Sequence, residues 1–248
     1  MRRFLLSLAF MAAFTPAAFA EGLTKAQVEE IIRDYIANHP QELVDSVQKL
    51  GDQQQKADQQ ISIDAIKKNR EWLENNKNHA EAGNPKGDVT IVEFFDYNCG
   101  YCKQALTDLM TVLDKDKNVR LIFVEIPILG DSSILAAQWA LAAKAQGGNY
   151  LAYHTALMKN HGPLNEESLT KHAKAAGLNV ERLAKERTDP KINDIISENL
   201  NMARALGIQG TPAFVVGDQL IRGYVGVDGM IEAISTARKA KEGAKKKD

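Results

Sequence analysis

Cysteine is scarce in this chain: Cys99 and Cys102 are all it has, and they stand as one Cys-x-x-Cys pair. An exported fold stapled by disulfides carries several half-cystines, so that class is set aside. A bridge closing so short a loop restrains the unfolded chain little, and the pair needs a purpose other than stability. Excess charge of one sign is missing too. With 31 basic and 32 acidic residues the net charge is −1, which gives no reason to expect nucleic acid. No Met/His cluster and no internal repeat is evident, and the five histidines are scattered. Beyond residue 20 no stretch is long and apolar enough to cross a bilayer, so a soluble mature chain is expected.

What is present begins with an export signal over residues 1–20. Arg2 and Arg3 supply a positive start, Phe4 to Phe14 an apolar run too short to span, and Ala18-Phe19-Ala20 a small-x-small cleavage pattern before Glu21. The competing reading is an uncleaved amphipathic anchor, against which stands the end of the apolar run at Ala20.

Residues 21–60 read as an N-terminal helical segment. Thr24 with Gln27 forms a capping box, and Leu23 with Val28 a hydrophobic staple. Val28, Ile31, Ile32, Tyr35 and Ile36 recur at three- and four-residue steps; Pro40 ends that helix and can open the next, striped by Leu43, Val44, Val47 and Leu50. Self-association would bury such a stripe, and folding back onto its own domain would do so as well. Residues 51–60 are a linker or the polar part of a long helix. A weaker helical pattern through Ile63, Ile66, Trp72 and Leu73 makes 61–83 a helical linker, broken by turn chemistry at Asn84-Pro85-Lys86-Gly87-Asp88.

From Val89 the pattern changes. Val89 to Phe95 is a buried strand, the Cys-Gly-Tyr-Cys run opens a helix through Leu106, Leu109, Met110 and Leu113, and Val119 to Ile126 is a second buried strand. Together they make a right-handed βαβ unit. Helices fill 131–206, and the chain then returns to a hairpin, Ala213 to Val216 and Gln219 to Arg222 around Gly217-Asp218, before a last helix over about 227–241.

A Cys-x-x-Cys at a helix start has a physical consequence. Unpaired backbone N–H groups and the helix dipole favour a thiolate on the first sulfur, which makes it a nucleophile and a leaving group. Cys99 is therefore expected as the exposed, attacking sulfur and Cys102 as the buried, resolving one. The competing readings are a zinc site, which would need two more ligands, and a structural disulfide, which the short loop makes weak. Glu93 stands inside the first strand, six residues before Cys99. It is either a buried carboxyl of raised pKa that takes a proton from Cys102, or an edge-facing group in water. Pro212, just before the third strand, suggests a tight turn at Thr211–Pro212, and sequence alone favours a trans bond there.

These residues resemble the DsbA-like branch of the thioredoxin superfamily over about 84–235. The likeness runs through Gly83 to Asp88, through Val-Glu-Phe-Phe-Asp-Tyr-Asn-Cys-Gly-Tyr-Cys and through Gly-Thr-Pro-Ala-Phe. The resemblance implies an α/β thioredoxin fold over 84–248 with an inserted helical domain at about 128–206, preceded by the N-terminal helical segment. It implies a cis Thr211–Pro212 bond facing the cysteines, with Thr211 offering its backbone to an extended substrate, and it supports the proton-accepting role of Glu93. The chain departs from typical DsbA oxidases in having Gly100-Tyr101 where they have Pro-His. Residues 23–50 resemble the N-terminal segment of the ScsC proteins (suppressor of copper sensitivity), which in several members assembles trimers and gives isomerase activity.

The expectation is a periplasmic thiol–disulfide oxidoreductase acting on cysteines of exported proteins, as isomerase or reductase, without cofactor or metal. Its partners would be those substrates, a membrane redox protein (reductase or oxidase) and further copies of itself, with a trimer as the candidate assembly. The alternatives are a DsbA-type oxidase, a copper-handling protein that uses both thiolates as soft ligands, and a chaperone-like scaffold.

Overall fold

The computed structural model describes residues 22–147 and 149–245; the expected signal segment lies outside them. The chain divides into two compact units, the first ending at Gln54 and the second starting at Gln55. In the first, α1 (Lys25–Asn38) starts at the foreseen capping box, the Thr24 N–H donating to Gln27 Oε1 at 2.9 Å and the Gln27 N–H to Thr24 Oγ1 at 3.4 Å. The joint before α2 (Pro40–Lys68) is held by Tyr35, whose hydroxyl donates to Glu42 at 2.5 Å while its ring stacks on His39 at 4.3 Å. The apolar stripe from Leu23 to Leu50 is 39–66 % exposed in the single chain. Residues 51–60 are helical, as the polar part of α2 rather than a linker.

The second unit begins with the end of α2, where Ile66 is buried, and with α3 (Arg70–Asn75), where Leu73 is buried. The helical linker expected over 61–83 stops there. Ala80–Gly83 instead form β1, an edge strand antiparallel to β3 (Val119–Glu125). Ala-Glu-Ala-Gly carries almost no strand propensity, so the pairing is imposed by the open edge of β3.

β2 (Val89–Phe95), α4 (Gly100–Lys115) and β3 form the βαβ unit, β2 and β3 running parallel. Five helices follow, α5 (Asp131–Ala145), α6 (Tyr150–Met158), α7 (Glu166–Ala175), α8 (Val180–Glu186) and α9 (Pro190–Ala205), and they are the inserted helical domain. β4 (Ala213–Val216) and β5 (Gln219–Arg222) close the sheet as a hairpin, and α10 (Gly226–Lys245) ends the described chain. Gly217 takes φ 62° in the hairpin turn, a conformation open to glycine.

The strand order is β1-β3-β2-β4-β5, with β2 in the centre. Because side chains alternate along a strand, Ile91, Glu93 and Phe95 share one face of β2 while Val92 and Phe94 share the other. Ile91 and Phe95 pack with Leu121, Phe123, Phe214 and the α4 residues Leu106 and Leu109. Val92 and Phe94 pack with Ile122, Val124, Ile66, Leu73 and Ala203. Each fully buried Leu or Phe contributes about 1.5–3 kcal/mol, so the sheet is a rigid base for the loop that leaves its central strand.

Candidate active site

That loop runs from the C-terminal end of β2 to the first turn of α4. Cys99 is the N-cap residue of α4, and its side chain makes no capping bond to the helix backbone. A sulfur in this position faces the backbone N–H groups that the first turn leaves without intrahelical partners. The Cys99 thiol is accordingly drawn from 9.0 to about 5. The largest cause is a hydrogen bond from the Cys102 thiol; the Thr211 side chain and the backbone N–H groups of Cys102 and Tyr101 add to it, against the opposing effect of burial. When protonated, the Cys99 thiol can donate to the Thr211 carbonyl at 3.2 Å, the one contact here that favours the neutral form.

Cys99 was expected to be exposed, yet it is 7 % exposed against 0 % for Cys102. The turn that carries Thr211 lies across its sulfur, so the order of access is as expected and the openness is not. Cys102 lies inside the core with its pKa raised well above the ordinary thiol value, by burial first and then by its bond to Cys99 and the nearby Glu93. Thr211–Pro212 is cis, as the family likeness implied and as the sequence alone did not. The turn brings Thr211 to Cys99 from 112 residues away.

Glu93 is fully buried on the central strand, opposite Phe123 on one side and Phe214 on the other. The edge-facing alternative is therefore excluded. Among the described residues neither carboxylate oxygen has a hydrogen-bond partner, and burial lifts its pKa to about 8, helped by the negative charge of Cys99. Strand alternation puts it on the face that α4 covers, the face on which Cys102 is buried.

Asp96 escaped the sequence reading. Buried between β2 and Cys99, it accepts from the Asn98 N–H at 2.7 Å, the Ser133 hydroxyl at 2.7 Å, and the Ile128 and Leu129 N–H groups at 2.8 and 3.0 Å. One carboxylate thus ties the loop before Cys99 to the entry of the inserted helices. The contact to Asn98, two residues on, is the part a sequence can signal, as an Asx turn. Behind it Tyr97 meets His154 Nδ1 at 3.0 Å, and Tyr150 donates to Glu125 at 2.6 Å. Burial holds His154 down to about 3 and lifts Glu125 to about 7. His154 is buried against aromatic rings, and His161 is exposed. Among the described residues no group of three or more His, Cys, Asp and Glu side chains could hold a metal ion.

The outer surface of the site carries an aromatic pair. Tyr101, between the two cysteines, is 64 % exposed, with its ring stacked on Tyr224 at 6.1 Å. Chemically the arrangement offers a sulfur anionic at neutral pH, a second sulfur held protonated one turn away, and a buried carboxyl that titrates near neutrality.

Residues 90–235 match the DSBA-like thioredoxin domain, and residues 25–57 match the copper resistance protein ScsC N-terminal domain. Among solved structures, a thioredoxin-like oxidoreductase from Silicibacter pomeroyi is 44 % identical, with 69 % of this chain and 98 % of that one covered and a TM-score of 0.66. A linker-deletion mutant of ScsC from Proteus mirabilis is 27 % identical, covering 91 % of this chain and 100 % of its own, with a TM-score of 0.69. A Na(+)/H(+) antiporter NhaA 1 from Salinispora arenicola is 28 % identical over 157 residues, which are 62 % of this chain and 24 % of the antiporter. The chain thus spans about a quarter of that curated relative's length.

Proposed function

The chain belongs to the DSBA-like thioredoxin domain family, and from that premise we propose that it is a periplasmic thiol–disulfide oxidoreductase that reduces and isomerises disulfides of exported proteins. The observation that carries this reading is the opposed tuning of two sulfurs one helical turn apart, Cys99 down to about 5 and Cys102 upward.

The Cys99 thiolate attacks one sulfur of a substrate disulfide; a Cys99–substrate bond forms, the substrate S–S bond breaks, and a substrate thiolate leaves. In the isomerase cycle that thiolate attacks another disulfide of the substrate. The thiolate expelled there attacks the substrate sulfur of the mixed disulfide, so that a new substrate S–S bond forms, the Cys99–substrate bond breaks and Cys99 leaves as a thiolate. In the reductase cycle the mixed disulfide has removed the Cys99 charge that helps keep Glu93 protonated; Cys102 gives its proton to Glu93 in its ionised form and attacks Cys99, expelling the second substrate thiolate and leaving a Cys99–Cys102 disulfide. Two electrons have then passed to the substrate, and a membrane dithiol partner must return them. The contact of the Thr211 carbonyl with Cys99, beside the cis bond to Pro212, supports the reading that Thr211 offers its backbone to an extended substrate.

Isomerase is favoured over oxidase by two features. The Gly100-Tyr101 centre brings no histidine to the thiolate, and the exposed stripe on α1 and α2 lies in the segment that matches the ScsC N-terminal domain. Burying that stripe between copies would set several sites around one substrate. The test is refolding of a scrambled, disulfide-bonded protein by the full-length chain in a glutathione buffer. Recovery of native activity at catalytic amounts is expected. Oxidation of a reduced substrate without repair of a scrambled one would assign the chain to the oxidases instead.

A further inference from the structure

Lys103 lies four residues after Cys99, one turn along α4, and feels the charge of Cys99 there. Its ammonium donates to the Asn160 carbonyl at 2.5 Å. That acceptor stands in the loop after α6, which is shaped by its own bonds: the Asn160 N–H donates to the Leu157 carbonyl at 3.1 Å and its side-chain amide to the Gly162 carbonyl at 2.9 Å. A long, flexible side chain is thereby tied down in a partly buried position, with one of its three donors used.

The charge balance at Cys99 gives this tether a purpose. The titratable groups facing the sulfur are Cys102 from the same helix, Glu93 from β2 and Lys103. Glu93 opposes a thiolate, and Gly100 and Tyr101 supply no cation. Burial lowers the pKa of Lys103 and Cys99 raises it, as expected when cation and thiolate stabilise one another.

We propose that Lys103 is a charge-positioning residue of the Cys99 site, an ammonium fixed by the Asn160 carbonyl so that it favours the thiolate over the thiol. The inference rests on the thiol–disulfide reading above. It gives the inserted helices a part in the chemistry, since their loop holds the cation in place.

The experiment is the pH dependence of Cys99 alkylation by iodoacetamide in the reduced full-length protein, followed by mass spectrometry at low ionic strength. Lys103→Gln should raise the alkylation midpoint by about half a pH unit, the size of a partly screened ion pair. Lys103→Arg, which keeps the charge, should stay near the wild-type midpoint. Added salt should raise the wild-type midpoint and leave that of Lys103→Gln nearly unmoved, a comparison that the wild-type protein alone begins even if the glutamine variant folds poorly. An unchanged midpoint in Lys103→Gln, an arginine variant shifted as far as the glutamine one, or a salt-insensitive wild type would each overturn the proposal. A wild-type midpoint near that of an ordinary thiol would instead overturn the thiol–disulfide reading itself.

Discussion

In α1 no residue is buried, whereas six of the seven residues of β2 are. Both segments carry a regular apolar pattern, period 3.6 in the helix and near-continuous in the strand. The difference lies in what each pattern meets. β2 is paired on both edges and covered on both faces by parts of its own unit. The stripe on α1 and the first half of α2 stays open in the single chain. One region spends its apolar surface on a rigid base for two sulfurs, and the other leaves it exposed. If that division holds, thiol chemistry and assembly should fail independently.

The largest expected effect is on the chemistry. Cys99→Ser should lower disulfide exchange by at least about a thousandfold, since the hydroxyl is a far weaker nucleophile, while light scattering shows the mass unchanged. Next comes assembly. Placing charge in the stripe with Ile32→Asp and Val44→Asp should bring the mass down to that of one chain and suppress repair of scrambled substrate. Cys99 alkylation should be unaffected; a shift in it would break the separation between the two regions.

Within the domain, Asp96→Ala removes the acceptor of four bonds and leaves three backbone N–H groups to find others. A stability loss of about 3 kcal/mol is expected in urea unfolding, with a raised Cys99 midpoint as the loop loosens.

The smallest effect is pH-dependent. Glu93 has a folded pKa of about 8 against an ordinary value of 4.5, so between those values the folded state holds a proton that the unfolded state has lost. Stability from this group is complete below about pH 4.5 and falls as pH rises to about 8. Glu93→Gln should therefore match the wild type in acid and exceed it by on the order of 2 kcal/mol above pH 8, while slowing the attack of Cys102 on a mixed disulfide. His154, held down to about 3 by burial, acts at the other end: its contribution is present above about pH 6.5 and lost as pH falls toward 3.

What the sequence by itself determined is what depends on neighbours a few residues apart. The capping box at Thr24, the helix opening at Cys99, the strands at Val89 and Val119 and the hairpin at Gly217 all follow from local backbone chemistry and side-chain period. The lowering of the Cys99 pKa follows too, because the Cys102 thiol and the N–H groups that stabilise its thiolate lie within one turn, whereas the raising of Cys102 comes from burial. The rest came from contacts between distant segments, which no local pattern encodes. β1 exists because β3 had an edge to offer. Glu93 is buried rather than wetted because both edges of its strand are taken. Thr211 covers Cys99 from 112 residues away, Asp96 finds three of its four donors 32 to 37 residues along the chain, and Lys103 its acceptor 57 residues along. The local code chose which sulfur is reactive; how far that sulfur is covered and which charges face it were decided by packing, since burial and Coulomb energy depend on what surrounds a group in space.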